Sequence, residues 1–338
     1  MSNERRPDLV PRPLAPSIDA LVRDASAREP LPNDGKSGAV LERVEIDGQR
    51  YVLKHIDRRQ DWIMRQSGDL RGYPITVWAS GVLDLVPDVI DHAYVGAARD
   101  ERAGAVLMHD VSEHLVAQSG APIALDQHER FLSHLAAFHA CTWGWGDTLG
   151  LTPLGTRMCW FGPAALACET ARHNPADVPR IATSGWEQLD NVAPRLAAVI
   201  TPVRAEPWAL VDALGAGPQS FIHGDWKLAN LGSRPDGRTI LLDWALPGAG
   251  PPLLELAHYL ALNSGRLPVG HTKDDAIATY RNALGREGVD TASWFDAQLD
   301  VALVAMTVLL GWEKALGAPE ELAWWEERVL SSPWLRGR

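Results

Sequence analysis

The chain has 338 residues, 46% hydrophobic and 22% charged, which suffices for sizeable cores in about two domains. Its formal net charge of −11 argues against nucleic acid or an anionic membrane as partner, because phosphate surfaces are held through Lys and Arg. Three cysteines, Cys141, Cys159 and Cys168, are odd in number and show no C-x-x-C spacing, so a disulfide framework is excluded and a cytoplasmic chain with buried, non-catalytic thiols is expected.

The start, Met1-Ser-Asn-Glu-Arg-Arg-Pro7, is polar and leads into Pro11, Pro13 and Pro16, so an extended lead-in over residues 1–29 is expected, without a secretory leader. Ser17 is placed to cap a helix reaching Arg28. Ala39 to Ile46 and Arg50 to Ile56 read as strands, with Asp47-Gly48 as the hairpin turn between them. Lys54 therefore falls on the second strand, among Val52, Leu53 and Ile56. Upstream, residues 33–38 form a turn in which Gly35 and Ser37 could lay backbone N–H groups over phosphates. Such a turn is ordinary by itself, and it counts only because a lysine-bearing strand follows.

Asp61 to Leu70 reads as a helix, and Gly104 to Met108 as a strand running into His109-Asp110-Val111. Further helix starts are signalled by Asp126 with Glu129, Ser184 with Glu187, Thr272 with Asp275, Ser293 with Asp296, and Pro319. The longest apolar run, Val301 to Trp312, falls short of the roughly 20 residues that a membrane span needs. The expected fold is α+β and bilobal: a small β-rich lobe over residues 30–111, a hinge, and a larger helical lobe over residues 112–338, with a cleft between them.

The chemistry is concentrated in Phe221-Ile-His-Gly-Asp-Trp-Lys-Leu-Ala-Asn230, followed by Ile240-Leu-Leu-Asp-Trp244. Two carboxylates and an amide at this spacing suit phosphoryl transfer from a magnesium nucleotide. Asp225 would accept the proton of an attacking hydroxyl, and Asn230 and Asp243 would bind Mg²⁺ on the phosphates. The alternative is that these residues only shape a turn and a strand end, which would not explain why the Leu241-Leu242-Asp243 strand follows at this distance.

With Lys54, the strand-end hinge and these two motifs in order, the chain resembles the aminoglycoside phosphotransferase and choline kinase group of the protein-kinase-like fold. The resemblance spans roughly residues 30 to 330, and Leu135-Ala-Ala-Phe-His139 matches the group's Leu-His helix signature. It implies ATP or GTP as co-substrate, Asp225 as catalytic base, Asn230 and Asp243 as Mg²⁺ ligands, and Lys54 on the phosphates. Met108, Asp110 and Val111 would lie along the adenine. In three places the chain departs from the group. No Glu occurs between His55 and Asp100 to partner Lys54; Asp57 or Asp61 would substitute, and Asp61 is preferred because it opens a helix. Lys227 stands where the group often has His, either contacting the transferring phosphate or solvated in its loop. Glu255 either orients the catalytic loop or only opens a helix.

The acceptor is expected to be a small hydroxyl compound: an aminosugar of the aminoglycoside type, an amino alcohol or a sugar. Twelve of the 14 tryptophans lie after Val111. Trp160, Trp186, Trp312, Trp324 and Trp325 either wall a pocket or, as is commoner, pack the core. Glu320, Glu321, Glu326 and Glu327 are expected on a solvated helix face. A nucleotide-binding regulator without turnover is the alternative function. Phosphorylation of protein side chains is disfavoured, since only eleven residues separate Asp243 from Glu255.

Overall fold

The structure, a computed structural model, describes residues 9–32, 39–59, 61–99, 104–173 and 176–337. Gly35 and Ser37 lie outside the described residues. The first lobe contains α1 (Ile18–Leu21), β1 (Ala25–Leu31), β2 (Leu41–Ile46), β3 (Gln49–Ile56), α2 (Trp62–Ser67), α3 (Tyr73–Ser80), β4 (Ile90–Asp91), β5 (Tyr94–Arg99) and β6 (Gly104–His109). Five of its strands form an antiparallel sheet in the order β1-β2-β3-β6-β5. Asp47 and Gly48, at φ +52° and +72°, make the two-residue turn joining β2 to β3, the conformation that Asp-Gly favours in a tight hairpin.

Alternation along the strands divides the sheet's two faces. Val44, Leu53, Ala105 and Leu107 form a small cluster on one side, while Val52, Ile56, Val106 and Met108 join the main core on the other. Lys54 has the parity of Val52 and Ile56. It therefore points toward the second lobe and is 8% exposed.

Ser17 does cap a helix, its hydroxyl accepting from the Ala20 N–H at 3.1 Å. That helix is only α1, however, and the chain then becomes β1 rather than continuing to Arg28. β1 is mostly exposed and its only large apolar residue is the terminal Leu31, so no clear apolar period announces it; its pairing with β2 makes it a strand.

The second lobe contains α4 (Leu125–Cys141), α5 (Leu154–Met158), α6 (Pro163–Ala171), α7 (Asp177–Val192), α8 (Pro194–Ala205) and α9 (Trp208–Gly215), then β7 (Ser220–Ile222), β8 (Leu231–Ser233), β9 (Thr239–Leu241) and β10 (Gly248–Gly250). It closes with α10 (Pro252–Leu262), α11 (Lys273–Arg286), α12 (Phe295–Leu316), α13 (Pro319–Leu330) and α14 (Pro333–Arg336). Thr272 and Asp275 make the reciprocal capping box expected for α11. Pro319 likewise opens α13, whereas the other three signals misplace the starts. α4 begins at Leu125, and Asp126 pairs with Arg130 instead of capping. Ser184 lies inside α7, whose buried stripe of Pro179, Ala182, Trp186 and Leu189 starts well before it. α12 follows Trp294, with no cap from Ser293. Burial against neighbouring helices sets these starts, and it outweighs a single cap worth about 1 kcal/mol.

Val301 to Trp312 is the buried centre of α12, apolar all round because protein surrounds it. No described helix is long and apolar enough to cross a membrane. Trp160, Trp186, Trp312 and Trp325 are core residues, while Trp324 is half-buried beside Lys273 and Arg328. Glu321 is not solvated, since it pairs with Lys273 and accepts from the Trp325 indole. The thiols also differ from expectation. Cys141 and Cys168 are exposed and Cys159 is half-buried.

Candidate active site

The site is built where two small sheets meet the cleft. β7 pairs with β10, and β9 pairs with β8 and, in parallel, with β4 of the first lobe. Leaving β7, the chain turns at Gly224, where φ is +82°. A Cβ at this point would run into the Leu246 carbonyl and lie 2.6 Å from Arg157 Nη1, so only glycine fits.

The turn is fastened from beneath by a buried carboxylate. Glu255, in the first turn of α10, accepts the Gly224 N–H through Oε1 at 2.6 Å and the His223 N–H through Oε2 at 3.1 Å. The same Oε2 lies 3.0 Å from His139 Nε2, whose Nδ1 meets the Tyr280 hydroxyl at 2.7 Å. Burial alone would raise the pKa of Glu255, but the bonds from His139 and from the Gly224 N–H hold it below its ordinary value. Glu255 thus orients the loop as well as opening a helix. His139, from the helix signature, completes the brace.

Arg157 on α5 adds a second fastening, its guanidinium donating to the Gly224 carbonyl at 3.3 Å and the Leu246 carbonyl at 2.6 Å. Enclosure lowers its pKa to about 10. The side chain ties the Asp225 loop to the segment after Asp243.

Within this frame Asp225 Oδ2 receives Asn230 Nδ2 at 2.8 Å and meets Lys227 Nζ at 2.9 Å. The Asn230 side-chain amide also donates to the Asp225 backbone carbonyl at 3.0 Å, and the Asn230 backbone carbonyl accepts the Leu242 N–H at 2.9 Å. Asp243 follows with φ +64°, a left-handed conformation that Asp tolerates better than most residues. Its Oδ1 lies 2.5 Å from Lys54 Nζ. Burial would raise its pKa, but Lys54 and then Lys227 keep it below the ordinary carboxylate value. For Lys227 the same contest has the opposite direction: burial would lower the ammonium, and Asp225 raises it past its usual value.

Asp225, Lys227, Asn230, Asp243 and Lys54 therefore come together as one charged cluster. Asp61 opens α2, accepting the Ile63 and Met64 N–H groups at 2.8 and 3.2 Å. Burial raises its pKa to about 6, against the pull of Lys54. Asp57 is taken by Arg59 at 2.8 Å. At the end of β6, Met108 and Val111 are buried, while Asp110 accepts from Arg43 at 3.2 Å and from the Ser112 N–H at 3.1 Å.

Sequence reasoning missed two residues here, Arg157 and His258. Arg157 sits in an unremarkable stretch and carried no signal. His258 lies three residues after Glu255 on α10, the spacing that puts both on one helix face, with Nε2 3.6 Å from Asp225 Oδ1.

Fold and site together define a two-lobed protein of the kinase-like class. A model of the phosphotransferase enzyme family (APH) matches residues 34–295, and the chain belongs to that family. Membership makes it a phosphotransferase. In fold it is similar to the choline kinase LicA from Streptococcus pneumoniae, at 12% identity and a TM-score of 0.53 over 95% of this chain and 96% of that one. It is equally similar to a protein from Ralstonia eutropha JMP134 described as an aminoglycoside phosphotransferase, at 15% identity and a TM-score of 0.54 over 95% and 97%. A search of curated proteins finds no match.

Proposed function

We propose that this protein transfers the γ-phosphoryl group of ATP or GTP to a hydroxyl of an aminoglycoside-like, amino alcohol or sugar acceptor. The observation that carries this reading is the cluster itself, in which a lysine from β3 meets Asp243 beside the Asp225–Lys227–Asn230 group. Asp225 accepts the hydroxyl proton as the acceptor oxygen bonds to the γ-phosphorus and the bond to the bridging oxygen of the leaving diphosphate breaks. Lys54 holds the phosphates, and Lys227 offsets the charge that develops. The first lobe, residues 30–111, holds the nucleotide, with Met108, Asp110 and Val111 along its base and Asp61 supporting Lys54. The second lobe, residues 112–338, holds the acceptor.

Asn230 and Asp243 suit Mg²⁺. The Asn230 Nδ2 is spent on Asp225, which leaves its amide oxygen for a metal beside the Asp243 carboxylate. Among the described residues no group of three or more His, Cys, Asp or Glu could hold a metal unaided. Two oxygen ligands completed by phosphates and water are the usual manner of Mg²⁺. When bound, the ion would neutralise phosphate charge.

A screen of metabolite extracts for ATP-dependent phosphate transfer, with Asp225→Asn as control, tests this directly. Turnover should fall by at least about a hundredfold in the variant, with nucleotide affinity retained. Near-normal turnover would remove Asp225 from the role of base. The second reading, a nucleotide-binding regulator, is favoured by the lack of any glutamate between His55 and Asp100 to partner Lys54. Nucleotide binding with no phosphorylated product across a broad acceptor panel would favour it.

A further inference from the structure

The two oxygens of Asp225 are in unequal surroundings. Oδ2 is occupied by Asn230 and Lys227, whereas among the described residues Oδ1 has only His258 as a polar neighbour, with Nε2 3.6 Å away. That separation is too long for a direct hydrogen bond, yet a single oxygen at about 2.8 Å from each atom spans it. Both side chains are close to the cleft surface without being open to it, at 15% exposure for His258 and 12% for Asp225. On the far side of the ring, Nδ1 is enclosed with no hydrogen-bond partner among the described residues.

We propose that His258 is the second group on the acceptor: its Nε2–H donates to the hydroxyl oxygen whose proton passes to Asp225 Oδ1. This rests on the assignment of Asp225 as base. The tautomer follows from the surroundings, because the Asp225 carboxylate favours the proton on the nitrogen nearer to it. Four charged groups influence the ring, namely Asp225, Lys227, Glu255 and Arg157. Burial outweighs them and lowers the pKa of His258 to about 4, so at neutral pH the ring is a neutral donor and does not compete with Asp225 for the proton.

Position on the helix makes this economical. Glu255 and His258 share the face of α10 turned to the loop. One holds the backbone at residues 223 and 224, and the other meets the side chain of residue 225. The helix that positions the base would also aim the nucleophile at it.

The test needs no knowledge of the natural acceptor, since water can take its place. The full-length chain is assayed for Mg-ATP hydrolysis and for phosphate transfer to glycerol, alongside ATP affinity and thermal melting, for Asp225→Asn, His258→Leu and His258→Gln. The expected result is that His258→Leu lowers both rates by about tenfold or more, the scale of one lost orienting hydrogen bond. ATP affinity should stay within about twofold. His258→Gln, whose amide N–H can reach the position of Nε2, should recover most of the loss. If Asp225→Asn collapses hydrolysis while His258→Leu leaves both rates unchanged, His258 has no such role and the base assignment stands. If His258→Leu loses ATP affinity or melting temperature in step with rate, and Gln does not rescue, the residue is structural and the proposal is overturned. Hydrolysis that survives in Asp225→Asn removes both.

Discussion

The two halves of the charged cluster are held in opposite ways. Asp225 stands on a loop fixed from below by buried polar groups: Glu255, His139, Arg157 and a glycine with no room for a side chain. Lys54 stands on a strand and owes its direction to alternation along β3, with Asp243 as its ion-pair partner. In the proposed mechanism Asp225 is a base, which must be aligned to fractions of an ångström before a reaction begins, and a rigid buried brace would supply that. A phosphate-holding lysine can take its final place from the ligand itself, so packing of its stem is sufficient.

The sharpest way to break this comparison is to remove the brace. Glu255→Ala leaves two enclosed N–H groups and His139 without their acceptor, and should cost about 3–5 kcal/mol of stability by chemical denaturation. Glu255→Gln, which keeps the shape and one carbonyl oxygen, should cost less. A loss under about 1 kcal/mol for the alanine variant would mean that the loop is held by something else.

Asp61 sharpens the comparison from the upper lobe. Its carboxyl is raised by burial from an ordinary value of 3.8 to about 6. The folded state therefore binds the proton more tightly than the unfolded one, and this contribution to stability is complete below about pH 4 and lost as the pH rises through 6. The interval corresponds to about 3 kcal/mol. Asp61→Asn, which can still cap α2, should match the wild type near pH 4 and exceed its stability increasingly up to pH 7. A difference that does not change with pH would remove the buried charge from the explanation.

The smallest stability effect is expected at Lys54. Asp243 is more open than Lys54, with 35% of its side chain exposed against 10%, and it keeps the field of Lys227, so Lys54→Met should shift stability by only about 1 kcal/mol. Turnover should nevertheless fall by about a hundredfold or more. A stability loss as large as that of Glu255→Ala would show that the two lobes are braced alike.

Much of this could be read from the chain before any coordinates. Asp47-Gly48 announces its hairpin because the turn needs two positive φ values, and Val52, Leu53 and Ile56 around Lys54 announce a partly buried strand. The spacing from His223 to Asp243 singles out the cluster residues because the proposed phosphoryl transfer would need those residue types close together. Helix starts were less legible. Ser184 and Ser293 carry local cap signals, but α7 and α12 begin where burial begins. The partner of Lys54 was also out of reach: no local pattern indicates that a lysine on β3 will meet Asp243 across the cleft.

Residue type at short spacing carries the two-lobed α+β class, the residues of the charged cluster and the family. That Glu255 holds the loop, that Arg157 ties the Asp225 loop to the segment after Asp243, and that His258 lies beside Asp225 Oδ1 is visible in three dimensions alone. Those contacts join residues 30 to 120 positions apart or lie across a helix face. Packing of the whole chain, which no short window contains, brings them together.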